Sequence, residues 1–245
     1  MKRWLFLILF VYHALAFSES AGKVLFTSKE VIAKRNNQQR VLTRGAEFFE
    51  GDTISTKGGA IAQLQYSNGT LVSLQPNSSY KIIAYNKAAA KGNSAYLSNG
   101  GLESATATSD NKKKSLLGTP LIALAIAGTK YRTAIFCNTI KCKKIAIQVT
   151  DGRVIVDNRY PLGPNEQQSS AIYNANTKQI TYGPINWSAH GWVNSPSPQA
   201  GNNGPDFITP STLTQVVNAT ITNTTTHTVT TTVLPIVGSG ACPCC

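Results

Sequence analysis

The chain has 245 residues, 42% of them hydrophobic, and a formal charge of +12 from 23 Lys and Arg against 11 Asp and Glu. Apart from Lys2 and Arg3, every basic residue lies between positions 17 and 178, whereas 179–245 holds no Lys or Arg and only Asp206 as an acid. The split excludes a uniformly charged chain and predicts a basic folded module, long enough for one core, followed by a nearly uncharged extension.

Met1-Lys2-Arg3 forms a positive start, Trp4 to Tyr12 is a compact apolar run, and Ala14-Leu15-Ala16 fits a small-x-small cleavage pattern. The expectation is a signal peptide over 1–16, cleaved after Ala16, and a periplasmic or secreted product. The apolar run is short for a bilayer span, and the next most apolar stretch, Leu116–Ala127, is broken by Gly118-Thr119-Pro120. No transmembrane anchor is therefore expected after cleavage.

From Gly22 to Ile32 the pattern begins a strand, Lys34–Gln39 reads as a polar turn, and Val41-Leu42 leads into the most informative stretch, Gly45–Ile83. There, three short runs ending at Tyr66, Leu74 and Ile83 alternate apolar and polar residues, which places successive side chains on opposite faces of a sheet. Gly51-Asp52, Lys57-Gly58-Gly59, Asn68-Gly69 and Pro76-Asn77 punctuate them. Asn68-Gly69 predicts a two-residue type I′ hairpin turn, and the stretch as a whole predicts a β-meander. The Asp52 side chain is expected to accept bonds from nearby backbone N–H groups. Lys87–Asn93 reads as a loop, Asn99-Gly100-Gly101 as a second hairpin-like turn, and Thr106–Lys114 as a solvated loop.

Cys137 and Cys142 flank Asn138-Thr139-Ile140-Lys141, with strand-like runs on either side. A turn there brings the thiols across from one another, which in an oxidising compartment favours a disulfide. Zinc is the rival, but the module offers no partnering His/Cys pair. So small a ring stabilises by only about 2 kcal/mol, so its expected role is to hold the hairpin.

Glu50-Gly51-Asp52-Thr53-Ile54-Ser55-Thr56 resembles the GDxIxT signature of the FecR domain, an extracytoplasmic module named after the ferric-citrate signalling regulator. Further pieces follow in the family's order. They are a turn at Asn68-Gly69, a corner at Leu74-Gln75-Pro76-Asn77-Ser78, Thr119-Pro120, then Ala127-Gly128-Thr129, and finally Val149, Gly152, Val154 and Val156. The motif positions carried over are Gly51, Asp52, Thr56, Gly69, Pro76, Ser78, Thr119, Pro120, Gly128 and Thr129. Asn68 replaces the usual Asp, and Ala127 stands where the family often has Arg. The resemblance covers roughly Gly22 to Val156 and implies an all-β module. Signalling members of the family carry a cytoplasmic segment that holds a sigma factor, followed by a membrane span. Only two charged residues precede the apolar run here, so that transmembrane mechanism is not expected.

The resulting division is a signal peptide over 1–16, a FecR-like β domain over 22–160, a β extension or capping segment over 161–194, a linker over 195–210, and a Thr-rich tail with a Cys cluster over 211–245. The fold class is all-β, as a compact β-sandwich or solenoid-like roll. Ala171–Tyr182 predicts one last hairpin around Asn174-Ala175-Asn176. Trp187 and Trp192 suit either a carbohydrate-stacking platform or closure of the open end of the core, and the second is favoured. Ser211–Val233 holds eleven threonines and no charge, which suits a sticky strand or a flexible stalk. Cys242, Cys244 and Cys245 are candidate intermolecular thiols, implying a disulfide-linked oligomer.

Catalytic chemistry finds no footing: His13, His190 and His227 are the three histidines, and no HExxH or Ser-His-Asp pattern occurs. No catalytic residue, cofactor or metal ligand is assigned. The expected function is a non-enzymatic binding or structural module of the bacterial cell envelope, its partner an anionic envelope polymer or a protein, and not nucleic acid. The alternative is a ligand-responsive signal-relay module, akin to the iron-responsive regulators, without a cytoplasmic output of its own.

Overall fold

The computed structural model describes residues 19–85, 93–106, 114–138 and 141–193. Residues 1–18, 86–92, 107–113, 139–140 and 194–245 lie outside the described residues, and with them the expected signal peptide, most of the two expected loops at 87–93 and 106–114, the linker, and the Thr-rich tail with Cys242, Cys244 and Cys245.

Among the described residues fifteen strands run in chain order: β1 (Ser20–Thr27), β2 (Val31–Arg35), β3 (Gln38–Val41), β4 (Glu47–Phe49), β5 (Thr53–Thr56), β6 (Ala62–Tyr66), β7 (Leu71–Leu74) and β8 (Ser79–Ala84). They continue as β9 (Ser94–Ala105), β10 (Lys114–Gly118), β11 (Ala123–Asn138), β12 (Lys141–Val156), β13 (Tyr160–Leu162), β14 (Ser170–Asn174) and β15 (Gln179–Tyr182). One short 3₁₀ turn, Ser188–His190, follows. The all-β expectation holds.

All fifteen strands join one hydrogen-bonded sheet, and the pairings show how it doubles into two layers. The first half of β9 pairs with β8 and, in parallel, with β10; its second half pairs with β7 and β11. β11 and β12 divide in the same way, pairing with β10 and β13 at one end and with β9 and β14 at the other. One layer therefore reads β4-β1-β6-β7-β9-β11-β12-β14-β15. The other reads β3-β2-β5-β8-β9-β10-β11-β12-β13, with the three long strands belonging to both.

Side-chain parity records the crossings. In β9 the buried positions pass from Ala95 and Leu97 to Leu102 and Ser104; in β11 from Leu124 and Ile126 to Tyr131, Thr133 and Ile135; in β12 from Ile145, Ile147 and Val149 to Val154 and Val156. A regular strand cannot change parity. An extra residue can, because a bulge bends the strand and shifts its alternation by one. The switches fall at Gly100-Gly101, Gly128-Thr129 and Gly152, and the β11–β12 register slips between Ala127 and Lys130. Gly152 has φ +72°, and a Cβ there would lie 2.1 Å from the Gly128 carbonyl oxygen, so the two crossings meet back to back with space for backbone alone.

Between the layers lies a continuous core that includes Val24, Phe48, Ile54, Leu64, Leu74, Ile82, Leu97, Leu124, Ile147 and Val156. At the far end of the β11–β12 hairpin the register sets Cys137 opposite Cys142.

Several local expectations are corrected. Gly45–Ile83 is not a meander: β6 and β7 pair in one layer, but the Pro76 corner carries the chain to the other, where β8 pairs with β5 and β9. Gly22–Ile32 contains parts of two strands, β1 and β2, in different layers. Asn99-Gly100-Gly101 is the bend within β9 rather than a hairpin turn. At Asn68-Gly69 only Gly69 takes positive φ, +83°. Tyr66 and Thr70 close a three-residue loop, and Asn68 Oδ1 accepts the Thr70 N–H at 3.0 Å. Positive φ at both residues of a two-residue loop occurs instead at Asn36-Asn37, +49° and +64°, joining β2 to β3. The hairpin around Asn174-Ala175-Asn176 is found as β14–β15.

Candidate functional site

The family-like positions lie at the joints of this double layer. Asp52 is completely buried in the turn between β4 and β5. Its carboxylate accepts the Phe49 N–H at 2.8 Å and hydrogen bonds from both terminal nitrogens of Arg40, while Arg35 Nε stands 3.7 Å away. The two guanidiniums also lie over the Phe49 ring, at 4.4 and 5.5 Å from its centroid. The predicted bond to backbone is present. The arginines were not anticipated, because they flank a turn twelve or more residues earlier and only the β2–β3 pairing brings them here. The cluster pins that hairpin to the motif turn.

Buried hydroxyls serve the next joints. Thr56 Oγ1 donates to the Gln75 carbonyl at 2.7 Å and accepts the Ser78 N–H at 2.9 Å, closing the Pro76 corner. Ser78 Oγ donates to the Gly101 carbonyl and accepts the Gly101 N–H, both at 2.9 Å, at the bend of β9. Beside it, a Cβ on Gly100 would come within 2.3 Å of Ser78 Oγ. Thr119, ahead of Pro120, accepts the Leu121 and Ile122 N–H groups at 3.2 and 3.0 Å and so shapes the turn into β11. Thr129 Oγ1 donates to the Ala127 carbonyl at 2.6 Å and accepts the Arg153 N–H at 3.3 Å, and its backbone N–H bonds Thr106 Oγ1. Each of these residues satisfies backbone groups that a bulge or corner takes out of the ladder.

Across the interlayer space, the Tyr66 and Tyr80 hydroxyls meet at 2.8 Å, and Tyr131 is buried nearby. Burial pushes the ionisation of all three well above the usual phenol range. The adjoining cavity is about 40 Å³. A water needs roughly 10–15 Å³, and organic ligands typically occupy roughly 300–1,000 Å³, so this space suits ordered water. A larger concavity of about 620 Å³ opens on the surface beside Gly51, with Glu19, Glu50, Lys81, Ile83 and Tyr85 around it.

The outer face of the first layer carries a polar row. Register aligns Gln63, Ser73, Glu103, Arg132 and Gln148 across β6, β7, β9, β11 and β12. Glu103 is almost wholly buried, with Arg132 Nε 3.2 Å from its carboxylate. The segment after β15 returns across this face. Trp187 donates to Gln148 Oε1 at 2.6 Å, Trp192 packs edge-on against Trp187 at 4.7 Å between centroids and lies beneath Arg132, and the Val193 N–H reaches Gln75 Oε1 at 2.9 Å. The tryptophans thus lie on the outside of a layer and do not close an open end of the core. Strand alternation places Glu103, Arg132 and Gln148 outward, but nothing in linear order signals the returning segment.

Among the described residues no group of three or more His, Cys, Asp and Glu is placed to hold a metal, and no helix is long and apolar enough to cross a membrane.

The family model described as FecR protein matches residues 52–155. Two solved structures, each described as a candidate anti-sigma factor from Parabacteroides distasonis ATCC 8503, are similar in part. One is 19% identical with a TM-score of 0.44 and covers 54% of this chain and 58% of that one. The other is 17% identical with a TM-score of 0.45 and covers 70% and 91%. This chain thus spans little more than half the length of the first, and at such values neither likeness carries a functional argument. No curated protein matches the chain. The family match overturns the expected role as a binding or structural module of the cell envelope and favours the signal-relay alternative, because the matched family is regulatory.

Removing the buried carboxylate in Asp52→Ala leaves Arg35 and Arg40 without their shared anion. The expected loss is about 2–4 kcal/mol, below the full value for a buried pair because the arginines are partly exposed. Urea unfolding measures it, and a loss under about 1 kcal/mol would show that the cluster does not hold the hairpin. Raised tyrosine ionisation has a definite sign. The folded chain keeps protons that the unfolded chain releases above about pH 10, so this stability is complete below that pH and declines as pH rises. Tyr131→Phe should make the decline between roughly pH 10 and 11.5 shallower; an unchanged slope in urea midpoints would contradict burial of its hydroxyl.

Proposed function

We propose, on the premise that residues 52–155 form a FecR domain, that this protein is a regulator in signal transduction whose β module works outside the cytoplasm. The single observation that carries the reading is the family match. What supports it physically is that Asp52, Thr56, Ser78, Gly128 and Thr129, all within the matched residues, are the joints that set the layers against each other. The buried ones are occupied with backbone and arginine partners rather than presented to a substrate. Such a module suits relay through its surface, by recognising a protein partner or a ligand at the cell envelope. The positive Met1-Lys2-Arg3 start, the apolar run Trp4 to Tyr12 and the small-x-small Ala14-Leu15-Ala16 support export.

The same setting supports a Cys137–Cys142 disulfide, since antiparallel register opposes the two residues and an oxidising compartment would close the bond. Its place at the tip of the longest hairpin suits a rigid, protruding contact.

Deleting the gene and restoring it in trans is expected to change, and then return, the transcription of a defined set of genes. Unaltered transcript profiles under envelope stress and iron limitation alike would sink the regulatory reading. Separately, the exported protein alkylated before reduction should leave Cys137 and Cys142 unlabelled and label both afterwards. Peptide mapping that finds them alkylated without reductant removes the disulfide.

A further inference from the structure

A sheet edge offers unpaired N–H and C=O groups to any extended chain, so folded proteins blunt their edges with charge, proline, bulges or brevity. The double layer has four edges among the described residues, and three are blunted. β4 is three residues long and carries Glu47. β13 is also three residues long and contains Pro161. β3 contains Arg40, whose guanidinium is turned onto Asp52 and the Glu47 carbonyl.

β15 is different. Gln179-Ile180-Thr181-Tyr182 has no charge and no proline, and it pairs with β14 in unbroken register. Since the Gly183 N–H bonds the Ser170 carbonyl, alternation makes Thr181 a hydrogen-bonded partner of Ile172 and turns the N–H and C=O of Ile180 and Tyr182 away from β14. Tyr182 is also one of the exposed large side chains of the molecule.

The same chain contains a segment suited to that edge. Ser211–Val233 has no proline, glycine or formal charge and is dominated by Thr, Val and Ile, the residues that favour extended, paired backbone. Geometry permits them to meet. The described chain ends at Val193, fastened to Gln75 just beyond β7. From β7 to β15 the layer runs β9, β11, β12, β14, β15, five steps of about 4.8 Å, or roughly 24 Å. A flexible chain as long as the stretch 194–210 would span about 5–6 Å times the square root of its length, again roughly 24 Å. Effective concentration is highest when linker dimension matches the span, at about millimolar.

We infer that the Thr-rich segment 211–233 adds as a strand to the open edge of β15 of its own chain, through the outward backbone groups of Ile180 and Tyr182. The added strand extends the first layer and seals the edge that the strand composition leaves open. It also holds the following Cys242, Cys244 and Cys245 near that side of the molecule.

Hydrogen exchange on the full-length chain tests this by residue. The Ile180 and Tyr182 amides should exchange on the order of a hundredfold slower in the wild type than in the double variant Thr220→Pro/Thr230→Pro. The Thr181 amide, bonded to β14, should stay protected in both and reports that β15 remains formed. A second variant reads the contact from the other side: Ile180→Pro removes an outward N–H only, and should speed exchange within 211–233. Protection that is the same at tenfold dilution, with a monomer by light scattering, supports docking within one chain. Three outcomes overturn the inference: rapid exchange of Ile180 and Tyr182 in the wild type, protection unchanged by the proline pair, or protection that disappears on dilution with a dimer. The last would assign the edge to another copy.

Discussion

Three strands of this protein must serve two layers, and the backbone can do so only where an extra residue is admitted. β9, β11 and β12 each bury one parity of side chain before the crossing and the other after it. The bends are tight enough that Gly128 and Gly152 face each other with no space for a Cβ. Every other feature is subordinate to that geometry. The core is continuous because the layers are made of the same strands, and the corners need polar fastenings because each bulge leaves backbone groups out of the ladder.

The fastenings explain why the family pattern is written in Gly, Thr, Ser and Asp. Thr56, Ser78, Thr119 and Thr129 each hold two or more backbone groups with a single hydroxyl, which is both small enough for a buried corner and able to donate and accept. Asp52 has a heavier task. It gathers an N–H and two arginines from a separate hairpin, and a buried carboxylate is tolerated only with such company. A motif of this type marks architecture. What lies outside this framework is the surface: the cleft beside Gly51, the hairpin carrying Cys137, the polar row under the tryptophans and the sheet edges.

That exterior is unevenly finished. The outer face of the first layer is covered by the returning segment, whose tryptophans bond and stack on Gln148 and Arg132. Three edges carry charge or proline, or are very short. The contrast with β15 gives the uncharged extension a physical context that its composition alone does not supply.

Linear order alone determined the class of structure. Alternation at Ala62–Tyr66, Leu71–Leu74 and Tyr80–Ile82 is a local property, as are the turn preferences of Gly51-Asp52 and Asn174–Asn176, and these led to strands and a hairpin that the structure contains. Motif order also located the family, since residues 52–155 coincide with the stretch where its pieces occur. Pairing was decided elsewhere. Whether β7 meets β8, whether Gly100-Gly101 ends a strand or bends one, and which arginines reach Asp52 all depend on contacts between residues far apart in the chain. Asn68-Gly69 shows the same limit at close range: its residues allow a two-residue turn, but the β6–β7 register leaves Tyr66 and Thr70 to close a three-residue loop. Local preference chooses among backbone shapes that differ by about 1 kcal/mol, whereas the burial of a whole strand face is worth several times that, so tertiary packing selects the partner and the register.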